Sequence, residues 1–165
     1  MIKSICKPSL PTLVLYVIRF SLVVIGTQLT VGISHGQSNL RIKYLTTDQG
    51  LTSNFIQCLV QDNQGFLWIG TDAGLNRFDG KNVIKYTHII GDSNSLLYNR
   101  IKSLFVDDKD QIWVGTYAGL SILNPRTSKF TNYRQIQVSN TIIDLSIGVN
   151  DIAEFDNRIY VVTNS

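Results

Sequence analysis

From residue 41 onward the hydrophobic positions fall in short alternating runs, and each run stops at a cluster of Asp, Asn, Gly or Ser. Alternation with period two, bounded by turn formers, predicts β-strands. A first group of runs lies at 56–61, 66–71, 75–78 and 83–87. Between them stand Asp62-Asn63-Gln64-Gly65, Asp72-Ala73-Gly74 and Asp79-Gly80-Lys81-Asn82. These are tight-turn compositions, and Gly74 is expected to take a positive φ. Stretches such as Leu67-Trp68-Ile69 and Leu104-Phe105-Val106 are apolar at successive positions, as in strands covered on both faces.

The same pattern returns 45 residues later without a gap. Residues 54–79, NFIQCLVQDNQGFLWIGTDAGLNRFD, align with residues 99–124, NRIKSLFVDDKDQIWVGTYAGLSILN. Trp68, Gly70, Thr71, Gly74 and Leu75 fall on Trp113, Gly115, Thr116, Gly119 and Leu120, and both tryptophans of the chain are included. A period of this length built from four short strands is a propeller signal. In the second copy the third turn, Asn124-Pro125-Arg126-Thr127-Ser128, is longer, and the fourth strand is expected at 129–134. Residues 151–155 and 158–163 read as the first two strands of a third copy, around Asp156-Asn157. Residues 88–98 and 135–148, rich in Ser and Asn, read as connections. Residues 41–46, RIKYLT, resemble the fourth strand of the first copy, and a strand of that kind ahead of an array is expected to close the ring.

The fold class read from this is all-β: a partial β-propeller of about two complete four-stranded blades and a half blade, preceded by a helical signal peptide. The divisions are a signal peptide at 1–36, the lead-in strand at 37–49, blade 1 at 50–94, blade 2 at 95–141 and the start of blade 3 at 142–165. Two and a half blades are too few for a closed ring. The chain therefore reads as a truncated N-terminal piece, and an open arc exposes strand edges and apolar flanks that favour association.

Charge alters the picture only for the leader. Lys3, Lys7 and Arg19 precede any acid, and the apolar run LVLYVIRFSLVVI at 13–25 follows the first two, ahead of Ser34-His35-Gly36. That order is an export signal with a small-residue cleavage site. From Gln37 onward 12 basic residues stand against 12 acidic ones, so the net charge of +3 gives no argument for nucleic-acid binding. Cys58 is the single cysteine after the leader and aligns with Ser103, which marks a small packing residue and not a reactive thiol.

Candidate chemistry is sparse. Asp62 and the Asp107-Asp108-Lys109-Asp110 cluster read as solvated hairpin turns, with no glutamate at the spacing of a calcium loop. One histidine, His88, follows the leader, too few for a zinc site. No nucleophile elbow, phosphate loop or zinc-protease motif occurs, and neither a cofactor nor a metal is expected. Trp68 and Trp113, set mid-strand among apolar residues, are expected in the core. Positions where the copies differ are better ligand candidates. Asp72 and Tyr117 occupy the second turn, and Arg100 stands at the start of an inner strand. Blade topology puts all three on one rim, where they could hydrogen-bond or stack on a sugar-like ligand.

The pattern I-x-x-L-x-x-D-x-x-G-x-L-W-I-G-T-x-x-G-L-N-x-F, at 56–78, resembles the two-component regulator propeller repeat, and Asp48-Gln49-Gly50-Leu51-Thr52-Ser53-Asn54 is similar to the usual opening of such proteins. The resemblance covers 40–134 well and 150–163 loosely, with Asp110 standing where Gly is usual. It implies the periplasmic sensor region of a Bacteroidetes hybrid two-component system. In that family paired propellers and a β-sandwich bind oligosaccharides and signal through a membrane helix to a histidine kinase, receiver and DNA-binding domain. None of those later parts appears in this sequence, and the family offers no short ligand motif to carry over. The expected function is thus the N-terminal part of a periplasmic, oligosaccharide-sensing propeller without catalytic activity of its own. The expected partners are a glycan on one rim, further blades and a second copy in a homodimer. The alternatives are a stand-alone exported interaction module and a piece of a propeller lyase or hydrolase. If the leader is processed, mass spectrometry of periplasmic protein will show a chain starting at Gln37; an intact membrane-bound form starting at Met1 would indicate an anchor.

Overall fold

The computed structural model describes residues 43–163. The expected helical signal peptide at 1–36 lies outside the described residues, as do residues 41 and 42 of the lead-in strand. No α-helix occurs among the described residues; there is one short 3-10 turn, Thr47–Gln49.

The first sheet is an antiparallel meander of β1 (Ile56–Gln61), β2 (Leu67–Thr71), β3 (Leu75–Phe78) and β4 (Val83–Tyr86), in that spatial order. The second repeats it with β5 (Ile101–Val106), β6 (Ile112–Thr116), β7 (Gly119–Asn124) and β8 (Lys129–Tyr133). A hairpin of β9 (Gln135–Val138) and β10 (Thr141–Asp144) follows, and then the pair β11 (Val149–Phe155) and β12 (Arg158–Thr163). The innermost strands are neighbours: β5 lies against β1 on one side and β11 on the other.

Two expectations need correction. The segment read as a polar connection at 135–148 contains the β9–β10 hairpin, with Val138 opposite Thr141 and Ile136 opposite Ile143. Its Ser and Asn content masked an alternation, Gln-Ile-Gln-Val, that closes on a Ser139-Asn140 turn with Ser139 at φ 55°. A blade boundary at 141/142 therefore cuts this hairpin. The strand at 41–46 is not formed over its described part. Residues 43–46 pair with no strand, and Thr46 instead caps the 3-10 turn in a reciprocal box with Gln49. Alternation supplies a strand's side chains but not its ladder, and the local cap satisfies the Thr46 N–H.

The core lies between sheets. Trp68, Leu75 and Leu96 meet Ile101, Ile112, Val114, Leu123 and Phe130 from the second sheet. Tyr86 links the two, its ring 5.7 Å from that of Trp68 and 5.9 Å, edge-on, from that of Phe130. Between the second sheet and the β11–β12 pair, Leu120 meets Leu145, Val149 and Ile152, with Trp113 packed alongside. Trp68 is fully buried whereas Trp113 is only partly so. Trp68 faces a four-stranded sheet, and Trp113 faces two described strands.

Buried polar groups are tied down in the same way in both copies. Asp62 and Asp107, expected at solvated turns, are buried. Asp62 Oδ1 accepts the N–H groups of Gln64 and Phe66, and Oδ2 accepts the Trp68 indole N–H at 2.8 Å. Asp107 does the same with Lys109, Gln111 and Trp113. The turn carboxylate folds inward because three N–H donors repay its desolvation. Asp110, at the place of Gly65, takes φ 60° against 89° for the glycine, a conformation that Asp tolerates better than most side chains. Asn76 holds the loop before β1 by accepting the Thr52 N–H and donating to its hydroxyl; the equivalent Ser121 accepts the Leu97 N–H.

Glycine sets the distance between sheets. A Cβ on Gly70 would lie 2.6 Å from Cys58 Sγ and 2.7 Å from Ile101 Cγ2; one on Gly115 would collide with Ser103 Oγ and lie 2.8 Å from the Val149 carbonyl. In both copies the next inner strand sits directly on this glycine. Gly115→Ala should force β11 off β6 and destabilise the protein by about 1–3 kcal/mol, read from urea unfolding. Gly80→Ala, whose Cβ meets nothing within 4 Å but whose φ is 93°, should cost only the backbone strain, about 1 kcal/mol.

Candidate functional site

Each inner strand begins with a bulge at the same place. Ile56 pairs with Thr71 and Cys58 with Gly70, which leaves Gln57 without a partner. The register shifts at the corresponding place in β5, across Lys102, and in β11, across Asn150. A bulged residue is released from the ladder and re-aimed, so the three inner strands present Gln57, Lys102 and Asn150 at equivalent positions. Two residues before each bulge position, the chain ties to the turn after the second strand: Asp72 N–H donates to Phe55 O, and Tyr117 N–H to Arg100 O.

Two of the three sequence candidates come together. The Arg100 guanidinium carbon lies 4.3 Å from the Tyr117 ring centroid. Lys102 Nζ, which sequence reasoning passed over, also lies 4.3 Å from it and donates to Asn150 Oδ1 at 2.6 Å. Arg100 and Tyr117 are exposed, Lys102 and Asn150 half-buried. The signal for Lys102 was present, since it replaces Gln57 at a position where the copies differ. Only the bulge reveals that this position leaves the sheet.

Asp72 stands apart from the pair, in Tyr117's place one sheet earlier. Its Oδ1 is buried without a hydrogen-bond partner. Cys58 is a packing group: burial pushes its thiol up to about 12, and the Gly70 N–H only partly opposes this. A concavity of about 670 Å³ lies beneath the connection after β4, away from this rim, and is lined by His88, Asp92, Leu96, Phe130 and Asn132. The connection is pinned by its own bonds, His88 Nδ1 to Leu96 O and Ser95 Oγ to Asp92 O. Among the described residues no group of three or more His, Cys, Asp or Glu side chains is placed to hold a metal ion.

The two-component regulator propeller family matches residues 50–73 and 95–118. The chain carries two-component regulator propeller repeats. Each matched segment runs from the loop before the inner strand, through the first two strands, into the rim turn. The repeat thus contains the Asp–Trp bond and the glycine contact, and it reaches the position that differs, Asp72 in one copy and Tyr117 in the other. Histidine kinase P4 of Formosa agariphila is 34% identical over 74 residues, which is 45% of this chain and 5% of that protein. Among solved structures, the extracellular domain of BT3049 of B. thetaiotaomicron, described as a hybrid two-component system, aligns at a TM-score of 0.63. It shares 29% identity over 72% of this chain and 17% of its own. The extracellular domain of BT4673 from the same organism shares the fold, with a TM-score of 0.59 and 23% identity over 74% of this chain and 17% of its own. The propeller repeats seen here therefore span a small part of much longer relatives. No helix of the described residues is long and apolar enough to cross a membrane.

Asp72→Asn tests the isolation of that carboxylate. The substitution replaces a carboxylate whose buried Oδ1 receives no bond by a neutral amide that is less costly to desolvate, so stability should be unchanged or higher by about 1 kcal/mol. A loss of that size in thermal melts would mean that the carboxylate has a partner in solution.

Proposed function

We propose that these propeller repeats belong to the extracellular, ligand-sensing part of a two-component regulatory system, that the ligand is an oligosaccharide held on the Arg100–Tyr117 rim, and that this part is not catalytic. The observation that carries the reading is the similarity, at 29% identity, to the extracellular domain of a protein described as a hybrid two-component system. Location outside the cytoplasm accords with that similarity and with the export-type leader in the sequence. The rim supports ligand contact at that end, because it gathers exposed polar and aromatic side chains at the mouth of adjacent inner strands. Further blades, or a second copy, would cover the outer flank of β1, where Phe55 and Leu59 are 71% and 63% exposed.

Incubating the protein extended by the further blades that a closed ring needs with an immobilised oligosaccharide panel, and assaying the same sugars for new reducing ends, tests both halves; the open arc alone is expected to show no measurable glycan affinity. Retention of one oligosaccharide class without cleavage is expected. New reducing ends would mean an enzyme, and retention of none would remove the glycan reading.

A further inference from the structure

The rim holds two cations on one neutral ring. Arg100 and Lys102 each lie 4.3 Å from the Tyr117 centroid, and neither forms an ion pair with a carboxylate of the described residues. Gathering like charges costs energy, and a tyrosine face repays only about 0.5–2 kcal/mol per cation. Asp72, at the equivalent turn one sheet earlier, has a buried Oδ1 that accepts no bond.

The geometry also holds the cations in place. Tyr117 N–H donates to the Arg100 carbonyl at 3.1 Å, which fixes the rim turn to the start of β5. Asn150, from the next inner strand, accepts from Lys102 Nζ. Opposite that ammonium stands Gly148, where a Cβ would lie 3.1 Å from Nζ. A side chain there would crowd the lysine. With cations at its ring, Tyr117 is no bare platform for the apolar face of a neutral sugar. What the site presents is a guanidinium fork and an ammonium, donors suited to the oxyanion of a carboxylate or a sulfate.

We propose that this rim selects an acidic saccharide, and that the oxyanion of a sugar carboxylate or sulfate sits between Arg100 and Lys102, with Tyr117 and Asn150 as positioning residues. The proposal rests on the glycan reading above and adds the charge of the ligand. The first pair of probes is an oligogalacturonate and its methyl ester, which differ in charge and not in sugar. A sulfated galactan oligosaccharide and its desulfated form make the second pair. Calorimetry on the same blade-extended protein is expected to show binding of one charged member, about tenfold or more tighter than its neutral counterpart. That binding should weaken as salt rises to about 0.5 M. Which pair responds identifies the carboxylate or the sulfate. Arg100→Gln and Lys102→Met, at positions outside the core, should each abolish the preference while leaving the melting temperature unchanged. Equal binding of charged and neutral members, or a charge preference that survives both substitutions, would overturn the proposal and leave the glycan reading standing. Failure of all four probes together with the whole neutral panel would overturn both.

Discussion

The contact on which the rest depends is the seating of one inner strand on the second strand of the sheet before it. Ile101 lies on Gly70 and Val149 on Gly115, at distances that leave no room for a Cβ. Close-packed interiors transmit such a local distance across a whole interface. Here it decides whether Trp68 and Leu75 can reach Ile112 and Val114, and whether Leu120 can reach Ile152. It also sets the rim, because the residue before each seated strand is the one that meets the turn of the preceding sheet.

Sheets packed this tightly leave little access for water, so every polar group inside needs a protein partner. The repeat meets that demand with side chains and not with extra strands. The turn aspartate of each copy serves two backbone N–H groups and the indole, and so joins the hairpin to the tryptophan that fills the space between sheets. Asn76 and Ser121 fix the loops leading into the inner strands. Among the described residues Asp72 is the exception, with a buried oxygen that has no donor, and it lies at the rim position where the two copies differ. Unsatisfied polar groups are tolerated where something other than stability decides the residue.

The separation between frame and rim follows from the repeat itself. Residues that touch another sheet are nearly the same in both copies, because each seats the inner strand of the sheet that follows. Residues at the bulge and the rim turn face no sheet and can differ. Gln57 gives way to Lys102, Phe55 to Arg100 and Asp72 to Tyr117. The result is a cationic cluster at the second blade with no counterpart at the first.

The sequence by itself determined the strand meander and its period. Two-residue alternation and the turn formers place β1, β3 and β12 at the residues where they are found, because local periodicity and turn chemistry act over the few residues that a strand contains. The pattern Asp-x5-Trp was legible too, as a spacing, but its meaning was not. An aspartate in a turn looks solvated until the fold shows the indole beneath it. The β9–β10 hairpin and the missing ladder at 43–46 were decided by pairing partners, which no local window contains. The same holds for the rim. Arg100 and Tyr117 could be assigned to one edge from topology, but Lys102 joined them only because a bulge turned it out of the sheet and Asn150, 48 residues on, accepted its hydrogen bond. Such contacts depend on where the chain returns in space, and that is the part that only tertiary structure decides.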